Sequence, residues 1–223
     1  MNKFNGILLC CLAAVIYGFG PFLIVNAQAG GASMVSINAW RLLFSIPIAY
    51  VILKCQKKNF DITKKEALNL FILGNVGGLL TAMFLFQAYN MISTGMATTL
   101  HFTYPILVNA VGIVLYKEGV TINKILALSL AISGVIAISF GDVSVTIMGV
   151  IIAMLSSSCF AFYIIFIERA KLADMGTFKL TFYSCLFSAP TAFLLAYLMG
   201  DLTYNHTPAS WATFLVLPYW LVQ

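Results

Sequence analysis

The chain has 223 residues, of which 61% are hydrophobic and only 9% are charged. Soluble domains carry about 25% charged and about 45–50% apolar residues, so this composition excludes an ordinary soluble domain. The net charge of +5 does not indicate nucleic acid binding here. The basic residues lie in short segments between apolar runs, where positive charge sets the orientation of membrane helices.

The apolar runs predict membrane-spanning helices, because crossing a bilayer takes about 20 mostly apolar residues. The first run follows Lys3 and resembles a signal peptide, but it is longer than a signal core and more runs follow, so we interpret it as a retained helix. The predicted spans are residues 5–25, 34–53, 67–91, 95–116, 122–140, 146–167 and 177–199, with an eighth beginning near residue 210. The predicted fold is an all-α polytopic membrane protein with seven complete transmembrane helices and a partial eighth.

The loop charges predict that the N-terminus is cytoplasmic. Eleven of the twelve basic residues lie before the first span, in alternate loops or in the first turns of the spans that follow those loops, and the loops 26–33, 92–94, 141–145 and 200–209 contain no Lys or Arg. Short cytoplasmic loops are enriched in Lys and Arg, so the basic side is the inside. The eleven residues are Lys3, Lys54, Lys57, Lys58, Lys64, Lys65, Lys117, Lys124, Arg169, Lys171 and Lys179.

An internal repeat appears when the chain is shifted by 143 residues. Residues 43–49 then align with residues 186–192, with five of seven positions identical, including Pro47 with Pro190. The period holds five predicted helices, an odd number, so the second copy enters the membrane from the opposite side. The sequence therefore predicts inverted five-helix repeats, the first over residues 1–143 and an incomplete second over residues 144–223, an arrangement that transporters use.

Several short motifs recur along the spans. They are an arginine in the second span, alanines opening the fourth span, a proline in its outer half, a glutamate at its cytoplasmic end and a glycine-valine pair in the fifth span, at Arg41, Ala97, Tyr104-Pro105, Lys117-Glu118 and Gly134-Val135. This pattern resembles the EamA-like family of the drug/metabolite transporter superfamily.

The resemblance implies ten helices around a central cavity, and a transporter that exports or exchanges small metabolites, amino acids or drugs by alternating access. It also implies a location in the plasma membrane, of the bacterial cell membrane type, and a small-molecule substrate. Under the 143-residue offset, Gln223 corresponds to Leu80. We therefore expect the second repeat to stop in its third helix, so that seven helices and part of an eighth stand in place of ten.

A layer of polar residues in the outer third of the membrane is the candidate substrate site. Arg41 and His101 both lie about 10 Å from the outer ends of their spans, at a rise of 1.5 Å per residue. Polar groups at such depth are costly unless they are paired or line a cavity, and they often mark substrate pathways. The candidate substrate-binding residues are Asn38, Trp40, Arg41, Gln87, His101, Tyr104 and Tyr17, with Asn90 in the same layer.

Each of these residues also has a structural interpretation. Arg41 is expected either to attract an anionic group such as a carboxylate, or to extend toward the interface or cap carbonyl groups. His101 is a candidate ligand residue or a hydrogen-bonded packing residue, and Trp40 either stacks on substrate or anchors its helix at the interface. Gly74 and Gly78 form a G-x-x-x-G pattern that predicts close helix packing.

Other functions are less consistent with the sequence. A polytopic membrane enzyme is disfavoured because the chain has two histidines, no HExxH motif and no Ser/His/Asp arrangement at membrane depth. The five cysteines form no CxxC pair, and we expect no catalytic residue, metal site or cofactor. A non-transporting truncated fragment is the remaining alternative. The substrate, the energy coupling and the oligomeric state are left open.

Overall fold

The computed structural model describes residues 19–117, 119, 122, 125–126, 129–130, 133–134, 146–202, 207 and 210–211. Apart from the turns, every regular element in these residues is a helix. Residues 19–29 belong to the helix α1, and a short 3₁₀ turn covers Leu172–Met175. The complete helices are α2 (Met34–Cys55), α3 (Lys64–Tyr89), α4 (Thr94–Tyr116), α5 (Ile147–Arg169) and α6 (Thr177–Leu198).

Five of the described helices, α2 to α6, are long and apolar enough to cross a membrane. Their bounds lie within three residues of the predicted second, third, fourth, sixth and seventh spans. Most of the predicted first, fifth and eighth spans falls outside the described residues, and the described parts of all three are helical. The all-helical, multi-pass fold class is therefore confirmed, whereas the total of seven complete helices and a partial eighth stays a prediction.

The chain forms two compact units. The first comprises residues 1–67 and 175–223, and the second comprises residues 68–174. In the first unit α2 packs along α6, and in the second α5 packs against both α3 and α4. These spatial units do not coincide with the predicted sequence repeats, residues 1–143 and 144–223. The division into repeats stays a prediction.

In the first unit, α2 and α6 are alike in length and in both ends. Each has 22 residues, and each bound of α6 lies 143 residues after the matching bound of α2. Beyond α2, Lys57 has a φ of 51°, and beyond α6 its counterpart Gly200 has a φ of 69°. The next amides close both helix ends in the same way: Lys58 donates to the carbonyl of Leu53, and Asp201 to that of Ala196. This is the Schellman pattern, which needs a left-handed residue at that position.

The two helices also bury the same face. Ala49 and its counterpart Ala192 are both 0% exposed, and the helices that carry them pack against each other. On the opposite face, Val51 is 56% exposed and Leu194 is 57% exposed. One 143-residue offset therefore relates helix bounds, end geometry and burial.

In the second unit, α3 and α4 both depart from regular α-helix. Residues Leu73–Leu79 of α3 form a π-helical segment, and α4 is interrupted at Phe102 and Thr103, between Thr94–His101 and Tyr104–Tyr116. Pro105 explains the interruption, because it has no N–H to donate to the carbonyl of His101, four residues earlier. π-Helical segments and broken membrane helices are both frequent at functional sites.

Candidate functional site

The first unit holds a polar cluster within the contact between α2 and α6. Nη2 of Arg41 donates a 2.9 Å hydrogen bond to Oδ1 of Asn38, which is fully buried. From α6, the thiol of Cys185 lies against Ser45 and near the guanidinium of Arg41. Two of the predicted site residues, Asn38 and Arg41, are thus in direct contact, and they present a positive charge inside a membrane-spanning helix.

One serine in each of the two helices makes the same hydrogen bond, to the carbonyl four residues earlier in its own helix. Oγ of Ser45 donates to the carbonyl of Arg41 at 2.7 Å, and Oγ of Ser188 donates to the carbonyl of Ser184 at 2.6 Å. Ser45 and Ser188 are counterparts under the 143-residue offset, and a proline follows each of them by two residues. Such back-bonding serines and interior prolines bend membrane helices. The counterpart of Arg41 is Ser184, so the cluster is symmetric in backbone but asymmetric in charge.

Trp40 belongs to an aromatic cluster in the same unit. Its ring packs edge-on against Phe193, with centroids 5.3 Å apart, and against Trp211 at 5.1 Å. The ring centroid of Phe44 lies 6.1 Å from that of Trp40. This packing gives Trp40 a structural role in addition to the binding role predicted for it.

In the second unit, His101 is the centre of a buried polar group. Nδ1 of His101 lies 3.0 Å from Oγ of Ser156, and Ser156 donates a 2.8 Å hydrogen bond to the carbonyl of Thr81. All three helices of the unit meet at this point, because Thr81 is in α3, His101 in α4 and Ser156 in α5. The hydrogen-bonded packing role proposed for His101 is therefore present in the structure.

The interruption of α4 contacts Ser157, the residue of α5 that follows Ser156. Oγ of Thr103 donates to the carbonyl of Leu100 at 2.7 Å and lies 2.9 Å from Oγ of Ser157. Because the first contact uses the only hydrogen of Thr103, Ser157 is the donor in the second. Ser156 and Ser157 thus bind two residues of the same broken segment.

Aromatic rings lie around His101. The ring centroid of His101 is 5.3 Å from that of Phe160, 5.9 Å from Tyr104 and 6.1 Å from Phe102. Phe160 also packs edge-on against Tyr104 at 4.6 Å and stacks on Tyr163 at 5.6 Å. The predicted residues His101 and Tyr104 are therefore neighbours within one aromatic environment.

The remaining predicted residues are placed as follows. Gln87 and Asn90 are exposed near the end of α3, and Tyr17 lies outside the described residues. Asn38, Trp40 and Arg41 belong to the first unit, whereas Gln87, His101 and Tyr104 belong to the second. The convergence of all these residues on one substrate site stays a prediction.

The partners of His101 on α5 were missing from the sequence-based site. Ser156 and Ser157 are both fully buried, and Phe160 lies one turn further along the same helix. The sequence feature that could have indicated these partners is a run of three serines, 156–158, inside an otherwise apolar span. Periodicity alone could not show which other helix these hydroxyl groups would face.

Comparison with known proteins decides the family. The profile of the EamA-like transporter family matches residues 4–140, which is more than half of the chain. The chain belongs to the EamA-like transporter family. The resemblance that the motifs around Arg41 and Tyr104-Pro105 predicted is therefore confirmed. EamA-like proteins form a transporter family rather than an enzyme family, and the apolar helices make this member a multi-pass membrane protein.

A solved structure shares the fold of this EamA-like chain. This structure, named only "Crystal structure of protein", aligns with a TM-score of 0.65 and 15% sequence identity, over 95% of this chain and 75% of that chain. At this identity the similarity concerns the fold alone. No curated protein matches the sequence.

Proposed function

We propose that this protein is a plasma membrane transporter that exports or exchanges small metabolites, amino acids or drugs by alternating access. The observation that carries the proposal, together with the family, is the correspondence of α2 and α6. Their bounds, helix ends, buried faces and back-bonding serines all agree under one offset of 143 residues. Two copies of one element packed together support an internal repeat.

The direction of the repeat follows from the helix count. The sequence predicts five spans in 143 residues, so equivalent helices cross the membrane in opposite directions. Inverted repeats related by an axis in the membrane plane supply two similar halves, whose rocking opens a central site to each side in turn. We propose a cytoplasmic N-terminus, because short cytoplasmic loops are enriched in Lys and Arg.

The Asn38–Arg41 pair is the proposed contact for an anionic group of the substrate. Arg41 keeps its charge at any physiological pH, and a guanidinium binds carboxylates through two parallel hydrogen bonds. Asn38 holds one guanidinium nitrogen at 2.9 Å, which fixes the orientation of the side chain. A substrate with a carboxylate, such as an amino acid, suits this arrangement.

A flux assay tests the proposal. The purified chain is reconstituted into liposomes preloaded with unlabelled amino acids, and entry of labelled amino acids is followed against protein-free liposomes. We expect saturable uptake that excess unlabelled substrate inhibits. Uptake equal to that of protein-free liposomes, for amino acids and for panels of other metabolites and cationic drugs, would rule out transport by this chain.

A further inference from the structure

The hydrogen bonds around His101 determine which of its ring nitrogens carries the proton. Oγ of Ser156 is 2.8 Å from the carbonyl oxygen of Thr81, and two oxygens approach so closely only with a hydrogen between them. A carbonyl can only accept, so the single hydrogen of Ser156 is used there. Nδ1 of His101, at 3.0 Å from the same Oγ, must therefore be the donor. In the neutral ring this leaves Nε2 without a hydrogen, as an acceptor.

This acceptor is buried and has no hydrogen-bond partner among the described residues. His101 as a whole is 1% exposed. A buried acceptor without a partner costs free energy, and folded proteins leave few of them. Ser156, itself bonded to Thr81, holds Nδ1 in place, so the ring cannot turn Nε2 toward another partner without losing that contact.

The surroundings of Nε2 suit a positively charged donor. Phe160, Tyr104 and Phe102 have ring centroids within 6.1 Å of the His101 ring, and aromatic rings attract ammonium groups. Among the described residues of the second unit, the carboxylates are Glu168 and Asp174, which are both exposed at the far end of α5 and in the turn after it. An ammonium group at this depth would thus be held by Nε2 and the rings.

We propose that Nε2 of His101 accepts a hydrogen bond from the ammonium group of an amine or amino acid substrate, with Phe160 and Tyr104 providing aromatic contacts. This inference rests on the proposed transport function, because Nε2 is covered in the present conformation and reaches a ligand when the helices separate. The irregular segments beside it, the π-helical part of α3 and the break in α4, are the places where such a movement requires least disruption of regular helix.

A pair of probes separates the hydrogen bond from the charge. Phenethylamine has N–H donors, whereas its trimethylammonium analogue has the same ring and charge but no N–H. Binding of both is measured by calorimetry on the purified chain. In His101→Asn, the amide can replace Nδ1 toward Ser156 but not Nε2, so the Kd for phenethylamine should rise about tenfold or more. The Kd of the trimethylammonium analogue should change less than about twofold, because that probe never used the acceptor.

Two further variants complete the comparison. His101→Gln places an amide oxygen near the position of Nε2, so phenethylamine binding should stay within about threefold of wild type. Phe160→Leu should weaken both probes alike, by about two- to fivefold, because the ring contact depends on charge alone. Thermal melts of each variant identify any loss of folding.

Nitrogen NMR of histidine-labelled protein gives a readout that does not depend on affinity. The chain has two histidines, and His206→Asn assigns the remaining signals to His101. We expect a protonated Nδ1 and a non-protonated Nε2 whose resonance moves when phenethylamine is added. Ser156→Ala should remove the preference between the two tautomers.

Four results would overturn the inference. They are no binding of either probe to the wild type, equal loss of both probes in His101→Asn, a protonated Nε2, or an Nε2 resonance that bound phenethylamine does not move. Because these are binding measurements, a chain that transports but shows any of these results loses this inference alone. A chain that binds amines through Nε2 but carries nothing into liposomes loses the transport proposal instead.

Discussion

Gly77, in the π-helical segment of α3, marks a close approach between α3 and α5. A Cβ atom at this position would lie 2.8 Å from Cδ2 and 3.2 Å from Cα of Tyr163. A Cβ at Gly78 would meet only the carbonyl oxygen of Leu73 in its own helix, at 3.9 Å. The close contact is therefore at Gly77, one residue before the second glycine of the G-x-x-x-G pattern.

We expect Gly77→Ala to destabilise the protein by about 1–3 kcal/mol, because the backbone of α5 must move to admit the methyl group. Gly78→Ala is the matched control in the same helical segment and should be neutral or slightly stabilising. Thermal unfolding of both variants in detergent checks this expectation. Equal melting temperatures would mean that α3 and α5 do not pack as described.

Arg41 permits a second test at the residue scale. Arg41→Gln removes the charge but retains hydrogen-bonding capacity toward Asn38, so uptake of carboxylate-bearing substrates should fall about tenfold or more. Uptake of neutral substrates should change little. Arg41→Lys is the control that restores charge without the planar guanidinium, and it should recover part of the uptake. If neutral substrates lose as much as anionic ones, Arg41 has a folding role.

The sequence identified the residues whose chemistry is unusual in a membrane, but not their partners. Arg41 and His101 stand out because charged and titratable groups are rare at that depth. The contact of His101 with Ser156 joins residues 55 positions apart and depends on how three helices pack, which apolar periodicity does not specify.

At the scale of whole elements, α2 and α6 have matching bounds and matching C-terminal geometry under the 143-residue offset. Ala49 and Ala192 are equivalent positions of the shared interface, and neither side chain is exposed. Their agreement was predicted from seven aligned residues around Pro47 and Pro190, and the helix bounds were predicted to within two residues. The π-helical segment of α3 has no sequence signal, whereas the break in α4 lies next to Pro105, whose missing N–H is visible in the sequence.

We expect Ala49→Leu and Ala192→Leu to destabilise the protein to a similar extent, about 1–3 kcal/mol each, because both overfill the same contact. Val51→Leu adds one methylene group on the exposed face of α2 and should change the free energy of unfolding by less than about 0.5 kcal/mol. Chemical denaturation followed by circular dichroism gives the three values. A large effect from only one of the two alanines would argue against equivalent packing roles.

At the scale of the whole molecule, the proposed alternating-access mechanism requires that α2 and α6 cross the membrane in opposite directions. Gln56 and Met199 are the residues that follow α2 and α6, they are separated by the same 143 residues, and both are exposed. In a chain with an N-terminus in the cytoplasm and five helices per repeat, Gln56 lies inside the cell and Met199 outside. Any arrangement without inversion puts both on one side.

The most direct measurement of the central claim is therefore the labelling of single cysteines at these two positions. The native cysteines are first replaced by serine or alanine, and Gln56→Cys and Met199→Cys are each treated with a membrane-impermeant maleimide in intact and in permeabilised cells. We predict that Met199→Cys reacts in intact cells, whereas Gln56→Cys reacts only after permeabilisation. Reaction of both cysteines from the same side of the membrane would contradict an inverted repeat, and with it the proposed alternating-access mechanism.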